Sequence, residues 1–410
     1  MITKTKLENK ELIFIFPYKG IGGVSTLFMN MAEIISREYD TKVSVVDYKN
    51  GYISKNIDLN PNLQLLTYSE KENLKLPSNS VAIFQSMTPW SIFPNLSFGD
   101  ETKFFYWNLH PMNLIPMLPG FRWLTEKHPT LGRLISKSLL FSYRSRILKL
   151  LSYLENKQSI CFMDITNLET TQAYLDYEIK DPKFLPIGIM GSIDPPLKYD
   201  IDSSVFRSGW LGRSTGFKNT ILIRVLRDLD KVAKNSIKDF VFYLISDSVD
   251  INLNPYKNLN FEFIDPISPK ELETMLEYKM NVMFAMGTSA FEAAVRGIPT
   301  VLLDFSYKRI PPSYLYKMIF EADSYSAGNF LEVSKVIYGK TMKEIVSLTS
   351  DDFDQMSNLS REFILSNHYI PNLCENFLEV VANSKSDIDE MKELGLLRSD
   401  LLYDVLNKFR

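Results

Sequence analysis

The sequence is poor in the residues that build disulfide frameworks and metal centres. Its 410 residues include two cysteines, Cys161 and Cys374, far apart and each inside an apolar stretch, and three histidines without close spacing. Isolated thiols argue against a disulfide framework, and scattered histidines argue against a zinc site. We therefore expect no metal or other cofactor, and a reducing cytoplasmic location.

Long apolar runs and a large excess of charge of one sign are also absent. The longest apolar runs have the length of a strand rather than the ~20 residues of a membrane span, and the first ten residues are polar and charged. The formal net charge of −3 gives no global positive field that attracts nucleic acid. A soluble or peripheral protein of about two domains is expected at this length.

Short apolar runs recur through the first half of the chain, separated by loops and amphipathic segments. Continuous apolar runs of this length are typical of parallel strands that are buried on both faces. They predict strands at residues 12–16, 42–47, 63–67, 81–85, 103–107 and 159–163. A further strand is predicted at 184–189, before a linker with Pro195 and Pro196, which places a domain boundary near residue 200.

The second half of the chain repeats this pattern. It predicts strands at residues 207–211, 240–246, 259–264, 281–285 and 300–304, and helices at 220–233, 269–278 and 289–296. The predicted fold class is α/β, with two Rossmann-like, doubly wound parallel-sheet domains, 1–200 and 201–370, that face a cleft. The helical segment 371–410 is expected to pack back on the first domain.

Two cations follow the first strand of the second domain. Gly212 and Arg213 end the segment SGWLGR, and Lys218 comes five residues later, at the edge where open α/β sheets bind ligands. An arginine fork and a lysine point charge suit a diphosphate and the charge that develops on it as a bound sugar departs. The alternative is an exposed turn with two solvated cations.

A second group of residues opens the helix predicted from residue 289. Small residues precede this helix, with Thr288 or Ser289 as N-cap, so that free N–H groups and the helix dipole form an anion site. Glu292 lies one turn into the helix on the face towards the cleft, where its carboxylate is placed to accept both hydroxyls of a ribose. The alternative is a capping box in which Glu292 and Ser289 satisfy the helix's own backbone.

The segment GWLGR with Lys218, followed about seventy residues later by GTSAFEAAVRGIPTV, resembles the C-terminal half of GT-B glycosyltransferases of the large family four, or group 1, type. The resemblance implies that Arg213 and Lys218 bind the donor diphosphate of a nucleotide sugar and that Glu292 binds its ribose. Gly212, Thr288 and Ser289 complete the expected donor site.

One departure from the family's pattern concerns the transferred sugar. The commonest pattern has a second acid eight residues before the ribose-binding glutamate, and Phe284 stands at that position. The loop here is also similar to that of inverting GT-B enzymes and of the related nucleotide-sugar 2-epimerases. Retaining and inverting stereochemistry therefore both stay open.

A glycine loop follows the first strand of the chain. Gly22 and Gly23 belong to the segment GIGGVS, which lets the backbone approach a ligand at a helix N-terminus, and in the resembling family such a loop closes over the donor phosphates. The competing interpretation is a dinucleotide fingerprint with Asp47 as its ribose-binding acid, although Ser25 stands in place of the third glycine.

The three histidines are given different roles. His110 follows the strand at 103–107 and is a candidate to hydrogen-bond the transferred sugar or to take the acceptor proton. The alternative is a buried, satisfied loop histidine. His128 and His368 are assigned to the surface.

A basic amphipathic stretch occupies residues 130–152. Its cations and leucines fit an anionic membrane surface, at roughly 1 kcal/mol for each well-placed basic residue. The alternative is an ordinary solvated helix face.

These observations predict a glycosyltransferase that moves a sugar from a nucleoside-diphosphate sugar to a saccharide or a lipid-linked saccharide. Assembly of bacterial cell-surface polysaccharide, at the inner face of the plasma membrane, is the expected setting. The alternatives are a nucleotide-sugar epimerase of the same fold and a non-catalytic module that binds a saccharide or a partner.

Overall fold

The computed structural model of this protein describes residues 10–20, 22–85, 88–110, 112–114, 124, 127–191, 202–214, 216–246, 249–264, 280–323, 325–334 and 338–397. The chain forms two compact units. Unit 1 comprises Met1–Gly188 and Ile370–Arg410, and unit 2 comprises Ile189–Tyr369. The predicted linker around Pro195 and the predicted helix at 269–278 lie outside the described residues.

Unit 1 is built on a six-stranded parallel sheet. Its strands are β1 (Glu11–Ile15), β2 (Val43–Tyr48), β3 (Leu63–Tyr68), β5 (Ser80–Phe84), β7 (Lys103–Asn108) and β8 (Ile160–Phe162), while β4 (Leu74–Lys75) and β6 (Leu96–Ser97) pair separately. The order across the sheet is β3-β2-β1-β5-β7-β8. Central strands are buried on both faces, which is why their sequences are continuous apolar runs.

Helices cover this sheet and include the returning C-terminal segment. They are α1 (Gly23–Glu38), α2 (Tyr52–Asn56), α3 (Pro89–Ile92), α4 (Pro129–Ser138), α5 (Phe141–Asn156), α6 (Ile165–Leu175), α11 (Ile370–Ala382) and α12 (Ile388–Glu393). The Phe14 ring lies 5.1 Å from that of Phe28 on α1 and 5.5 Å from that of Phe377 on α11. The segment after residue 369 therefore contributes to the core of unit 1.

Unit 2 is built on a second six-stranded sheet, in the order β11-β10-β9-β12-β13-β14. Its elements are β9 (Val205–Leu211), α7 (Phe217–Ala233), β10 (Asp239–Ile245), β11 (Asn260–Ile264), β12 (Val282–Ala285), α8 (Thr288–Val295), β13 (Thr300–Leu302), β14 (Lys317–Met318), α9 (Met342–Val346) and α10 (Ser350–Asn367). Only β14 runs antiparallel among these strands. The predicted α/β fold class with two Rossmann-like parallel sheets is confirmed.

Three predictions about individual elements need correction. Residues 184–189 are not a strand, because Phe184 makes only an isolated bridge to Phe162 and Pro186 has no N–H to donate to a ladder. The basic stretch at 130–152 is two helices, α4 and α5, rather than one. Helix α7 begins at Phe217 rather than at residue 220, so Lys218 lies in its first turn.

None of the helices within the described ranges has both the length and the apolar character needed to cross a bilayer.

Candidate functional site

Unit 2 brings three predicted donor-site residues together at the carboxyl end of β9. Gly212 follows this strand with φ +135°, a conformation that side chains disfavour. A Cβ atom built on Gly212 would lie 3.4 Å from the Ser289 hydroxyl oxygen and 3.6 Å from the Lys218 Nζ atom. The lysine ammonium of α7 and the hydroxyl of α8 therefore approach the same stretch of backbone.

Arg213 comes directly after Gly212 and its side chain is exposed. The turn that carries it is fixed on both sides. The Trp210 indole N–H donates to the Gly212 carbonyl at 2.8 Å, and the Ser214 hydroxyl donates to the Asn219 amide oxygen at 3.1 Å. Arg213 thus projects from a well-anchored turn, with Lys218 five residues later at the start of α7.

The N-terminus of α8 differs from the prediction. Its N-cap is Gly287, and no side chain caps the helix, so neither Thr288 nor Ser289 is the N-cap. Gly287 has φ +61° and ψ −144°, a region that is essentially restricted to glycine. Because Thr288 and Ser289 become the first two helical residues, their N–H groups are among those that an α-helix leaves without a backbone acceptor. These N–H groups and the helix dipole favour an anion.

Glu292 has a different partner from the one that the capping-box alternative supposes. Its Oε2 atom accepts from Arg296 Nη1 at 2.6 Å, across one turn of α8. Burial raises the pKa of the Glu292 carboxyl, and the charge and hydrogen bond of Arg296 oppose that rise. The Ser289 and Glu292 side chains lie three residues apart on one helix face. The face that meets Gly212 therefore also carries this carboxylate.

The opposite side of α8 is packed against α10. The ring centroids of Phe291 and His368 are 4.0 Å apart, and the Ser357 hydroxyl donates to the carbonyl of Gly297 just after the helix. His368 is fully buried, so its assignment to the surface was wrong; His128 is exposed as predicted. The aromatic contact explains the burial, because the imidazole ring packs among apolar rings. These contacts attach the buried side of α8 to α10 and to the residue that follows it.

The predicted glycine loop of unit 1 has ordinary backbone geometry. Gly22 is the N-cap of α1 with φ −158°, an extended conformation open to any residue, and Gly23 is the first helical residue. A Cβ atom on Gly22 would meet the Tyr18 ring at 3.5 Å, an ordinary contact. The conformation therefore does not require glycine at position 22.

Asp47 organises the loops at the end of β2. The side chain is fully buried, and its two oxygens accept the backbone N–H groups of Tyr18 at 2.9 Å, Tyr48 at 2.8 Å and Ser54 at 3.0 Å. A carboxylate already occupied by three backbone donors is not placed to receive ribose hydroxyls. The geometry therefore disfavours the dinucleotide interpretation.

His110 lies just after β7, and its imidazole orientation bears on its chemistry. The Nδ1 atom accepts the backbone N–H of Met112 at 3.1 Å. In the neutral ring the proton is then on Nε2, so the ring presents a donor there rather than a base. This geometry favours a hydrogen bond to a sugar oxygen over removal of an acceptor proton.

A cavity of about 510 Å³ opens at the carboxyl ends of β1, β2 and β5. Its lining is mostly apolar. It includes the aromatic residues Phe16, Tyr18, Tyr48, Phe84 and Phe93 and the polar residues Lys19 and Gln85. The Asn113 amide donates to the Gln85 backbone and side-chain oxygens at 2.8 and 2.9 Å, which ties the loop of His110 to this cavity. Such a cavity suits a small organic ligand.

At the level of sequence, neither a protein-family model nor a curated protein matches the chain. Solved structures do match it. One match is a glycosyltransferase from Rickettsia africae, with 11% sequence identity and a TM-score of 0.53. The superposition covers 91% of this chain and 97% of the Rickettsia chain. A second match is WaaG, a glycosyltransferase involved in lipopolysaccharide biosynthesis, with 12% sequence identity and a TM-score of 0.51. The superposition covers 90% of this chain and 99% of WaaG.

The chain has the GT-B glycosyltransferase fold.

The departure at Phe284 has a structural explanation within this GT-B fold. Phe284 lies inside β12, fully buried, with its ring centroid 6.0 Å from that of Tyr316. An acid at this position would be a buried charge within an apolar core. Only Met286 and Gly287 separate β12 from α8, so this connection has no acid to place near a sugar.

The raised pKa of Glu292 leads to a prediction about pH. If the Glu292 carboxylate binds ribose, nucleotide affinity should fall as the pH falls through the Glu292 pKa, because protonation replaces a hydrogen-bond acceptor with a donor. Since this pKa is raised, the fall should occur at a higher pH than the titration of an exposed glutamate. Titration calorimetry across this pH range measures the effect. The matched control is Glu292→Gln, which should bind more weakly and lose this part of the pH dependence. Identical profiles for both proteins would contradict the assignment.

The role of Asp47 gives a prediction about stability. Asp47→Ala leaves three backbone N–H groups without their acceptor, so the free energy of unfolding should fall by about 3 kcal/mol, at ~1 kcal/mol or more for each. Urea denaturation measures this change. Asp58→Ala, which removes an exposed acid that pairs with the surface residue Arg37, should change stability by less than about 1 kcal/mol. Equal effects of the two variants would show that Asp47 is not structural.

Proposed function

We propose that this protein transfers a sugar from a nucleoside-diphosphate sugar to a hydroxyl of a saccharide or lipid-linked saccharide. The observation that carries the proposal is the approach of the Lys218 ammonium and the Ser289 hydroxyl to Gly212. A lysine charge, a hydroxyl and the start of a helix at one place are the chemistry that binds a phosphate group. Glu292, one turn further along the same helix face, is the proposed ligand of the ribose.

Catalysis would follow from positioning and from charge stabilisation. As the bond between the anomeric carbon and the donor oxygen breaks, negative charge grows on the leaving diphosphate. Lys218, Arg213 and the N–H groups of Thr288 and Ser289 are proposed to stabilise that charge. Since these groups supply positive charge directly, we expect transfer to persist when divalent metals are chelated.

The acceptor is proposed to bind in the 510 Å³ cavity of unit 1. Its aromatic faces offer an apolar surface to a sugar ring, while Lys19 and Gln85 supply polar contacts that fix orientation. His110, as a donor at Nε2, is proposed to hydrogen-bond a sugar hydroxyl. The similarity to WaaG, a glycosyltransferase involved in lipopolysaccharide biosynthesis, supports a cell-surface saccharide as the proposed product.

Product analysis tests this proposal. The protein is incubated with UDP- and GDP-sugars, with and without a mixture of saccharide acceptors, and the products are separated by chromatography and identified by mass spectrometry and NMR, because sugar isomers share one mass. Transfer predicts a glycosylated acceptor and free nucleoside diphosphate that both depend on Lys218. A new sugar isomer from donor alone would instead identify an epimerase, and unchanged donor with no nucleotide affinity would identify a non-catalytic module. Either of these two results would overturn the proposal.

A further inference from the structure

Asp304 and Lys317 form a buried ion pair in unit 2. Asp304 lies two residues after β13 and Lys317 begins β14, and the two residues are 0% and 1% exposed. The Lys317 Nζ atom lies 3.8 Å from Asp304 Oδ1, so the lysine acts as a counter-charge rather than as a hydrogen-bond donor at normal distance. Because apolar side chains of similar volume often stabilise a core as well as an ion pair does, stability alone does not account for these charges.

The Asp304 carboxylate is bonded to a backbone segment that follows β14 in the chain. Its Oδ1 atom accepts the backbone N–H of Asn329 at 2.7 Å, and its Oδ2 atom accepts the Tyr314 hydroxyl at 3.2 Å. The next residue, Phe305, donates its N–H to the Asn329 carbonyl at 2.8 Å. Burial raises the pKa of Asp304, and the charge of Lys317 and the hydrogen bonds of Asn329 and Tyr314 oppose that rise.

Residues 326–329 form a tight bend against the end of β13. The buried Ser326 hydroxyl donates to the Asn329 amide oxygen and accepts the Gly328 N–H, both at 3.2 Å. Gly328 has φ +116°, and a Cβ atom there would lie 2.5 Å from the Leu303 carbonyl oxygen, which leaves no room for a side chain. The bend therefore lies directly on the backbone that leads from β13 to the ion pair.

The same bend contacts the N-terminus of α8. The Ala327 carbonyl accepts the N–H of Gly287, the N-cap of this helix, at 2.8 Å. A continuous series of hydrogen bonds thus leads from Asp304 through the bend to the residue at which α8 begins. The next two residues of α8 carry the N–H groups that are proposed to bind the donor diphosphate, so the orientation of the Gly287 peptide bears on that site.

We propose that Asp304, with Lys317 as its counter-charge, is a positioning residue of the donor site. Acting through the bend at 326–329, its carboxylate fixes the Gly287 peptide and thereby the direction of the first N–H groups of α8. This role rests on the proposed function, because it concerns the diphosphate of the same donor site. A misplacement of about 1 Å in a group that meets the ligand is enough to weaken binding and catalysis strongly.

Two double variants without the buried charges test the role of the carboxylate oxygen. Asp304→Asn/Lys317→Met keeps an oxygen that can accept from Asn329, whereas Asp304→Leu/Lys317→Met has a similar volume and no acceptor. The full chain is titrated with UDP and with GDP where circular dichroism shows each variant to be folded, so that affinity does not report stability. The leucine variant should bind about tenfold more weakly than the asparagine variant, whose affinity should stay close to that of the unchanged protein.

Hydrogen exchange followed by mass spectrometry locates the effect in the chain. Amides of residues 286–291 should exchange faster in the leucine variant than in the asparagine variant, while those of α7 should exchange alike in both. If the leucine variant does not fold, Ser326→Ala provides the second measurement, because it removes two hydrogen bonds inside the bend and leaves the ion pair in place. This variant should also accelerate exchange at 286–291 and weaken nucleotide binding.

The outcomes separate this role from the donor site itself. Equal affinity and equal exchange at 286–291 in the two double variants would overturn the positioning role and leave the donor site intact. Unchanged affinity and exchange in Ser326→Ala would do the same. Absence of UDP and GDP binding by the unchanged protein would instead overturn the proposed function, and the positioning role with it.

Discussion

Lys218→Ala should lower the rate of sugar transfer by about 10²–10³-fold, the usual loss when one preorganised group that stabilises transition-state charge is removed. The Lys218 ammonium lies in the first turn of α7, 3.6 Å from the position of a Cβ atom on Gly212. Its proposed partner is the leaving diphosphate, whose charge grows as the sugar departs. The effect should therefore appear in kcat, measured as the release of nucleoside diphosphate at saturating donor.

Two further variants show whether a loss of rate is specific to the proposed diphosphate site. Lys231→Ala removes an exposed lysine from the last turn of the same helix and should leave the rate unchanged. Arg213→Ala should lower the rate in the same range as Lys218→Ala, because its side chain is exposed on the anchored turn that directly follows Gly212. Wild-type transfer by both the Arg213 and the Lys218 variants would exclude this diphosphate site.

Gly212→Ala should weaken nucleotide binding at least tenfold, about 1.4 kcal/mol. The added methyl group would enter the space between the Ser289 hydroxyl and the Lys218 ammonium, 3.4 and 3.6 Å from these atoms. Because φ at Gly212 is +135°, the substitution should also lower the free energy of unfolding by about 1–3 kcal/mol. Titration calorimetry and urea denaturation measure the two effects separately.

Gly216→Ala distinguishes lost space from backbone strain. Gly216 also has a positive φ, +59°, but a Cβ atom there would have no heavy atom within 4 Å. This variant should lose a similar amount of stability yet keep a larger share of the nucleotide affinity. If both glycine variants bound nucleotide equally well, the space beside Gly212 would not be part of the site.

The sequence was most informative where a strand is buried on both faces. Runs such as those in β1 and β5 predicted strands close to their observed ends, because burial on both faces requires continuous apolar residues. The same rule failed at residues 184–189, where Pro186 removes a ladder donor. It gave no signal for β14, because two residues are too few for a pattern.

The sequence indicated which residues of the candidate donor site lie together, but not their geometry. The spacing of Gly212, Lys218 and Ser289 indicated which residues meet, since parallel strands end at one edge of the sheet. The preference of serine and threonine for the N-cap position predicted Thr288 or Ser289 as the N-cap of α8. The N-cap is Gly287 instead, because the backbone there adopts a positive φ that favours glycine. The ion pair of Glu292 with Arg296 could have been anticipated from their four-residue spacing on a helix.

The environments of His368, Phe284 and His110 depend on tertiary packing rather than on local sequence. Nothing local to His368 indicates that its ring packs on Phe291, because that contact joins α8 to the residue that follows α10. Counting eight residues back from Glu292 reached Phe284 inside the strand predicted at 281–285, and the structure adds the packing of its ring on Tyr316. The Nδ1 bond of His110 likewise depends on the path of the following loop.

Unit 2 is proposed to bind a nucleoside diphosphate through Lys218 and Glu292. Titration calorimetry of the full chain with UDP and with GDP tests it most directly. At least one of the two should bind at a single site, and Lys218→Ala and Glu292→Gln should each weaken this binding while Lys231→Ala should not. Absence of binding by both nucleotides, or equal binding by all four proteins, would contradict it.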